Sequence, residues 1–454
     1  MIVEGEVRHS QTCNVHISTD DGRSWQEGGE LMPEEFTDCT LTAEYGPYAT
    51  LQFAEDGTLY VAFVASELPS EPQERTESHR HVFLARSTNA GRTFDHTVVF
   101  RADTDDPNLD TNKGPMLAVD PSDSSRVYVG WRQGLHQDDS GKVRSNVAAS
   151  DDGGETFAEP VDISGVEGGD YPGLAVGSDG TLHAVYWTRT FGAGEDERPV
   201  RPIQYARSDD FGETFTEAEP IDAGNQSASR PPILAADPTS DAVYMIWYGN
   251  QEERNAEPDF EDARHDILFR SSRDGGETWS DRLIINDDDT DANQHDPGIA
   301  IAPNGRIDVV WYDFRNSPTP PVDTTGQGGE DGLAHLYYAW SDDQGVTFSP
   351  SHPVSDRAID RSVGIWSNRV SSSFNIGITS NDDSVYLAWQ DTRNSGPEFQ
   401  SEDIYTNKVR LSGHANETQA STLLPQFQGA GLALSVAGLL LVMAGVGASR
   451  RRAR

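Results

Sequence analysis

One octapeptide, S-x-[DN]-x-G-x-[ST]-[WF], recurs six times along this chain, and such a repeat restricts the architecture more than any other feature of the sequence. It occupies residues 18–25, 87–94, 150–157, 208–215, 272–279 and 341–348, at spacings of 69, 63, 58, 64 and 69 residues. Each position has a physical task. The third side chain (Asp20, Asn89, Asp152, Asp210, Asp274 or Asp343) folds back onto backbone N–H groups of its own turn. The glycine supplies a positive φ, and the hydroxyl residues satisfy the remaining polar groups. The closing Trp or Phe opens the next strand and packs inward. The aspartates therefore read as structural, each one needed by its own loop instead of by a metal or a reaction.

Between the octapeptides lies a second unit, an apolar strand, a short turn and another apolar strand ending in an aromatic residue. It spans 115–131, 172–187, 232–247, 297–311 and 374–389, each closing on Trp, with an earlier copy over 48–64. Alternating β-branched and aromatic residues, punctuated by Asp-Gly and Asn-Gly, predict strands throughout. Four antiparallel strands, A to D, with a tight A–B turn and the octapeptide as the C–D turn, make one blade of a radial repeat. The fold class is all-β, a β-propeller of six to seven four-stranded blades over residues 1–411, with one transmembrane helix beyond it. Six A–B hairpins are present, and the first octapeptide is preceded only by a strand C over 13–17 and a candidate strand B over 2–7. That imbalance favours seven blades, the first incomplete, with the true N-terminus upstream.

The octapeptides resemble Asp boxes, or BNR repeats, of the sialidase superfamily of β-propellers, over roughly residues 8–410. Asp boxes also occur in many propellers that are not sialidases, so the resemblance implies the fold before any activity. For a true sialidase it implies three arginines on the substrate carboxylate, a Tyr nucleophile activated by a Glu, and an Asp acid or base. Arg230, in Arg230-Pro231-Pro232, is similar to the family's Arg-x-Pro, although that motif belongs before the first box and here precedes the fifth. No position counted from the boxes supplies the Tyr and Glu pair.

Short A–B and C–D turns share one face of the disc, so the B–C and D–A connections share the other. All the variable length sits there, in B–C loops over 65–81, 132–144, 189–201, 248–264, 312–332 and 390–401. Long insertions collected on one side of a repeat fold mark its binding side. The strand ends on that face are polar. Asn112, Lys113, Asp170, Tyr171, Arg230, His295 and Asp296 precede strands A, and Arg132, Arg189, Asp313, Arg315, Asp391 and Arg393 follow strands B. One reading is a ligand pocket built from Arg132, Arg189, Arg230, His295, Asp313, Arg315, Asp391 and Arg393, suited to an anionic sugar because guanidinium forks bind carboxylates bidentately. The other is that each Asp-x-Arg-Asn (313–316 and 391–394) caps its own loop. Asp170, Tyr171 and Asp296 are the catalytic candidates. Recognition of a carbohydrate or glycoprotein leads, an exo-α-sialidase-type glycoside hydrolase is the alternative, and an architectural surface component is the third reading.

Charge excludes other classes. With 75 acidic residues against 34 basic ones the formal charge is −41, which repels phosphate backbones, so no nucleic-acid partner is expected. Only three of the basic residues are lysines (Lys113, Lys142 and Lys408), and an acidic, arginine-biased surface is the composition expected in high salt. Asp103, Asp105 and Asp106, and likewise Asp287, Asp288 and Asp289, offer closely spaced oxygens for Ca²⁺, without the glycine-turn spacing of a defined calcium loop. No other cofactor is indicated, and no HExxH, paired CxxC, phosphate-loop or Gly-x-Ser-x-Gly motif occurs. Cys13 and Cys39 form one disulfide in an extracellular setting or two buried thiols otherwise.

No charged residue lies between Glu417 and Arg450, and residues 429–448 are apolar for long enough to cross a bilayer core of ~30 Å. Residues 429–449 therefore read as a transmembrane helix, 412–428 as a polar stalk and 450–454 as a basic cytoplasmic tail, which places the propeller outside the cell, at its surface. Pro425-Gln426-Phe427, the apolar span and the basic end resemble the tripartite sorting signals of haloarchaeal surface proteins, with Gln426 where Gly is expected. The first four residues carry no export-signal character.

Overall fold

The computed structural model describes residues 14–31, 33, 49–66, 80–102, 110–135, 143–188, 202–222, 232–249, 265–290, 292–317, 332–360, 363, 376–395, 403–411, 421–422 and 440–443. Apart from one 3₁₀ turn, Gly165–Glu167, every element among them is a strand, and the strands form seven sheets. Sheet I holds Asn14–Ser18 and Gln26–Glu30. Sheets II to VII cover 49–100, 110–162, 170–222, 233–284, 294–353 and 376–422, and each is an A-B-C-D antiparallel meander. Sheet VI gains a further short strand, Ile359–Asp360, against the start of Leu333–Ser341.

Register puts all the octapeptides at one end. The octapeptide serine closing strand C pairs with the first residue of strand B (Leu59↔Ser87, Val127↔Ser150, Leu182↔Ser208, Val243↔Ser272, Ile307↔Ser341), beside the A–B turn. Within the turn of 150–157, the Gly154 N–H donates to Ser150 Oγ (2.8 Å), and the serine hydroxyl donates to Asp152 Oδ1 (2.8 Å). The Thr156 N–H and hydroxyl then donate to the two oxygens of Asp152 at 2.9 and 2.6 Å. The turns at Asp20, Asp210, Asp274 and Asp343 repeat this pattern. Asn89 keeps it too: its Oδ1 accepts from the Thr93 N–H (3.0 Å) and its amide donates to the Thr93 hydroxyl (2.7 Å). Two consecutive residues, not one, adopt the left-handed region in each turn (Asp21–Gly22, Ala90–Gly91, Gly153–Gly154, Phe211–Gly212, Gly275–Gly276, Gln344–Gly345). The first of each pair varies freely in sequence, which is why the motif reveals only the second.

These bonds favour the ionised carboxylate. The Ser24 hydroxyl and N–H hold Asp20 at about 2, and the Thr347 hydroxyl and N–H do the same for Asp343. Desolvation opposes the shift at Asp152, but the bonds from Thr156 still bring it to about 2. Each folded value lies below the ordinary 3.8, so the stabilisation is complete above the unfolded value and is lost as pH falls through about 2. Because Asn89 builds the same turn without a charge, Asp20→Asn, Asp152→Asn and Asp343→Asn together should leave the fold intact. The combined variant should lose less stability than the parent between pH 4 and pH 2, as followed by circular dichroism; matching acid limbs would refute this account.

Neighbouring sheets share apolar cores. Val15 and Ile17 of sheet I pack with Leu59 and Phe83 of sheet II, and Leu84 of sheet II packs with Trp131 of sheet III. Tyr128 and Tyr186 join sheets III and IV. Trp187, Trp247 and Trp311 join IV, V and VI, and Tyr312 and Trp389 join VI and VII. From sheet II onward, the strands A of successive sheets pack side by side. Each octapeptide also leans on the preceding sheet. Gly154 faces Leu84, Gly212 faces Tyr128, Gly276 faces Tyr205 and Gly345 faces Phe269. The series closes on itself, because Asp21 of the first octapeptide accepts from Tyr386 and Lys408 of sheet VII. Seven sheets in a closed ring make this a β-propeller.

Of the expected membrane helix over 429–449, only Leu440–Met443 lie among the described residues, and there the chain is a strand, parallel to Asn14–Ser18 with Val15 opposite Leu440 and Ser18 opposite Met443. Among the described residues sheet I has two other strands, and these four residues pair along the edge of Asn14–Ser18 opposite Gln26–Glu30. No helix among the described residues is long and apolar enough to cross a membrane. Cys13 and Cys39 lie outside the described residues.

Candidate functional site

At the end of the ring opposite the octapeptides, three strands A bulge at the same place. Their ladders shift between Lys113 and Met116, Asp170 and Gly173, and His295 and Gly298. Inside each bulge one residue takes a left-handed φ immediately before a proline: Gly114 (56°), Tyr171 (49°) and Asp296 (50°). Outside the octapeptides, Tyr171 and Asp296 are the only non-glycine residues with positive φ among the described residues. Such conformations cost about 1–3 kcal/mol each and gather where a site imposes them.

The bulge of sheet IV meets sheet III through an ion pair, Arg132 Nε to Asp170 Oδ1 at 2.5 Å. The same guanidinium lies 5.6 Å from the centre of the Tyr171 ring. Asp170 and Tyr171 are buried, while the Arg132 side chain keeps 13% of its surface exposed. Glycine at 114 makes room for this arrangement, since a Cβ there would stand 2.6 Å from the Tyr171 ring. Asn112, fully buried beside it, donates from Nδ2 to the Arg80 carbonyl at 2.5 Å.

His295 and Asp296 sit elsewhere on the ring, at the junction of sheets V and VI. The His295 ring packs edge-on against Tyr248, His265 and Phe314, with centroids 5.1, 5.2 and 5.8 Å away. Sheets VI and VII carry two copies of a third arrangement. Asp313 accepts from the Trp311 indole (2.8 Å), from the Arg315 N–H (2.9 Å) and from the Arg315 guanidinium at 3.0 and 2.8 Å. Arg315 then lies 4.1 Å over the Tyr337 ring, whose hydroxyl accepts from Asn316. Asp391, Arg393, Asn394, Trp389 and Tyr405 repeat this, with Arg393 3.7 Å over its tyrosine. Desolvation opposes the charge of both arginines, yet the bond to their own Asp raises their pKa above the ordinary value. Further pairs reach Asp287 (2.9 Å) from Arg315 and Asp356 (2.8 Å) from Arg393. As placed, these residues cap their loops, and a ligand would have to displace a carboxylate to reach either fork.

No protein-family model matches the chain, and no curated protein matches it in sequence. Among solved structures it is similar to a protein of unknown function from Dyadobacter fermentans, with a TM-score of 0.50 at 12% identity over 83% of this chain and 95% of that one. An α-L-arabinofuranosidase from Fusarium graminearum gives a TM-score of 0.47 at 16% identity, over 81% of this chain and 93% of that one. A Trypanosoma rangeli sialidase gives 0.43 at 12% identity, over 90% of this chain and 60% of that one. At these identities a likeness speaks to the fold alone.

The structure thus brings Arg132, Asp170 and Tyr171 together, gives His295 an aromatic setting and holds Arg315 and Arg393 in local pairs. Arg189 and Arg230 lie outside the described residues. Among the described residues no group of three or more His, Cys, Asp or Glu is placed to hold a metal ion. Asp287 serves Arg315 and the Ser351 hydroxyl and N–H, Asp288 accepts from Asn286 and Thr290, and residues 103–106 are not described. Sequence reasoning missed Gly114 and the rings around His295. For Gly114 a signal existed, the X-Pro dipeptide that opens strand A at 114–115, 171–172 and 296–297.

Proposed function

We propose that this chain is a cell-surface, membrane-anchored propeller that recognises a carbohydrate or glycoprotein on its loop-bearing face, around Arg132, Asp170 and Tyr171. The observation carrying this reading is the strained bulge that sets Tyr171 beside the Arg132–Asp170 pair, at the end of the ring away from the octapeptides. Arg132 keeps 13% of its side chain exposed and is held from behind by the buried Asp170 and Tyr171, which leaves its guanidinium placed to donate to sugar hydroxyls or to an acidic sugar's carboxylate. The apolar span of 429–448 and the basic residues after it support the anchor, which requires Leu440–Met443 to leave their pairing with Asn14–Ser18, and the acid excess supports a high-salt setting.

A second reading, glycoside hydrolysis of the exo-α-sialidase type, is favoured by the adjacency of a carboxylate (Asp170) and a phenol (Tyr171), with Asp296 held by an equivalent bulge. One experiment separates the two. Full-length protein in molar KCl is titrated with a panel of neutral and acidic oligosaccharides, and turnover of fluorogenic glycosides is followed in parallel. Recognition predicts saturable binding without turnover, weakened about tenfold or more by Arg132→Ala and by Tyr171→Ala. Turnover that disappears in Tyr171→Phe and Asp170→Asn selects the hydrolase, and binding that ignores Arg132 and Tyr171 removes this site.

A further inference from the structure

Three A–B turns of the ring, in sheets II, IV and VI, are built alike. In each, a glycine with left-handed φ (Gly57, Gly180 and Gly305, at 87°, 86° and 85°) donates its N–H three residues back, to the carbonyls of Ala54, Gly177 and Ala302 at 3.0, 3.1 and 2.8 Å. The residue before it accepts through Oδ1 from the N–H two positions on: Asp56 from Thr58, Asp179 from Thr181 and Asn304 from Arg306, at 2.9, 3.0 and 3.1 Å. Two of these turns carry Asp-Gly. The third carries the only Asn-Gly dipeptide of the chain, with Asn304 exposed.

An asparagine before glycine is open to attack by its own backbone, because the glycine nitrogen has no neighbouring side chain to hinder its approach. The Gly305 nitrogen, losing its proton to hydroxide, bonds to Cγ of Asn304 as the Cγ–Nδ2 bond breaks. Ammonia leaves and a succinimide remains. Water then opens the ring either at Cγ, giving an ordinary aspartate, or at the main-chain carbonyl, giving a β-linked isoaspartate; in sum, amide and water become carboxylate and ammonia. The turn both favours and opposes this step. Its Arg306 N–H already donates to Oδ1, the oxygen on which charge develops during attack. Against it, the Gly305 N–H must leave the Ala302 carbonyl, and one ordinary hydrogen bond slows attack about fivefold.

We propose that Asn304 is a site of spontaneous deamidation, and that its β-linked product releases Arg306 and loosens the junction of sheets VI and VII. The aspartate product fits the turn as Asp56 and Asp179 do. The β-linked product lengthens the main chain by one carbon, so the bond to the Arg306 N–H is lost. That break falls directly beside the side chain that reaches Asp308 within sheet VI and the carbonyls of Asn381 and Asp382 in sheet VII.

Incubation of the full chain in mildly alkaline, molar KCl, followed by peptide mapping with electron-transfer fragmentation, tests this. Position 304 should gain one mass unit about tenfold faster than Asn316 and Asn394, which precede serine, and part of the product should be β-linked. Urea unfolding of the aged protein should then split into two transitions, with the β-linked residue in the less stable fraction. Asn304→Asp should unfold like the unaged parent. Because the loss runs through Arg306, ageing of Arg306→Met should add no second transition. An Asn304 that stays intact through the incubation, or a β-linked protein as stable as the parent, would overturn the proposal.

Discussion

Gly276→Ala should destabilise the protein by about 3 kcal/mol or more, while Gly275→Ala, one residue away, should cost only about 1–2 kcal/mol. Both glycines have left-handed φ, +67° at 275 and +84° at 276, so both alanines carry the backbone penalty of a side chain in that region. Their surroundings differ. A Cβ on Gly275 meets nothing within 4 Å, whereas one on Gly276 would overlap the hydroxyl end of Tyr205. That ring cannot step aside, because its hydroxyl is bonded to His183 Nδ1 at 2.7 Å and Trp279 packs edge-on against it at 5.3 Å. Overpacking of a fixed neighbour adds a further ~1–3 kcal/mol. Equilibrium urea unfolding of the two variants gives the comparison directly, and equal losses would mean that the octapeptide does not lean on the preceding sheet as described.

The same pair explains how far the sequence could be read. Everything inside an octapeptide depends on contacts within a few residues (Ser272 with Asp274 and Gly276, Asp274 with Thr278), so the turn, its repeat and the blade were legible. The contact between Gly276 and Tyr205 spans about one repeat and depends on which sheets become neighbours. The candidate site has the same difficulty. Arg132 and Asp170 meet only because the end of strand B in sheet III faces the start of strand A in sheet IV, which nothing in the local sequence states. For Asp313 and Asp391 the sequence left a ligand pocket and a loop cap open. The residue that decides is the tryptophan two positions earlier, whose indole already donates to the carboxylate. Two arginines of the predicted rim, Arg189 and Arg230, lie outside the described residues.

The largest loss should come from Arg306→Met, at about 3–5 kcal/mol. Arg306 is 5% exposed and Asp308 fully buried. The guanidinium grips Asp308 with Nε and Nη2 at 2.8 and 3.0 Å, and the Tyr338 hydroxyl donates to the same carboxylate at 2.6 Å. Two further N–H groups reach the carbonyls of Asp382 and Asn381, both at 2.8 Å, so one side chain also ties the A–B turn of sheet VI to that of sheet VII. Methionine fills much of the volume but leaves the Asp308 charge buried with Tyr338 as its remaining donor, and an uncompensated buried charge costs far more than the pair itself contributes. One consequence distinguishes this from simple loss of packing. Arg306→Met/Asp308→Asn should recover a good part of the loss, since the second change removes the stranded charge. Thermal or urea unfolding of both variants measures the effect. A double variant no better than the single one would assign the role of Arg306 to its two carbonyl contacts across the junction instead of to the carboxylate.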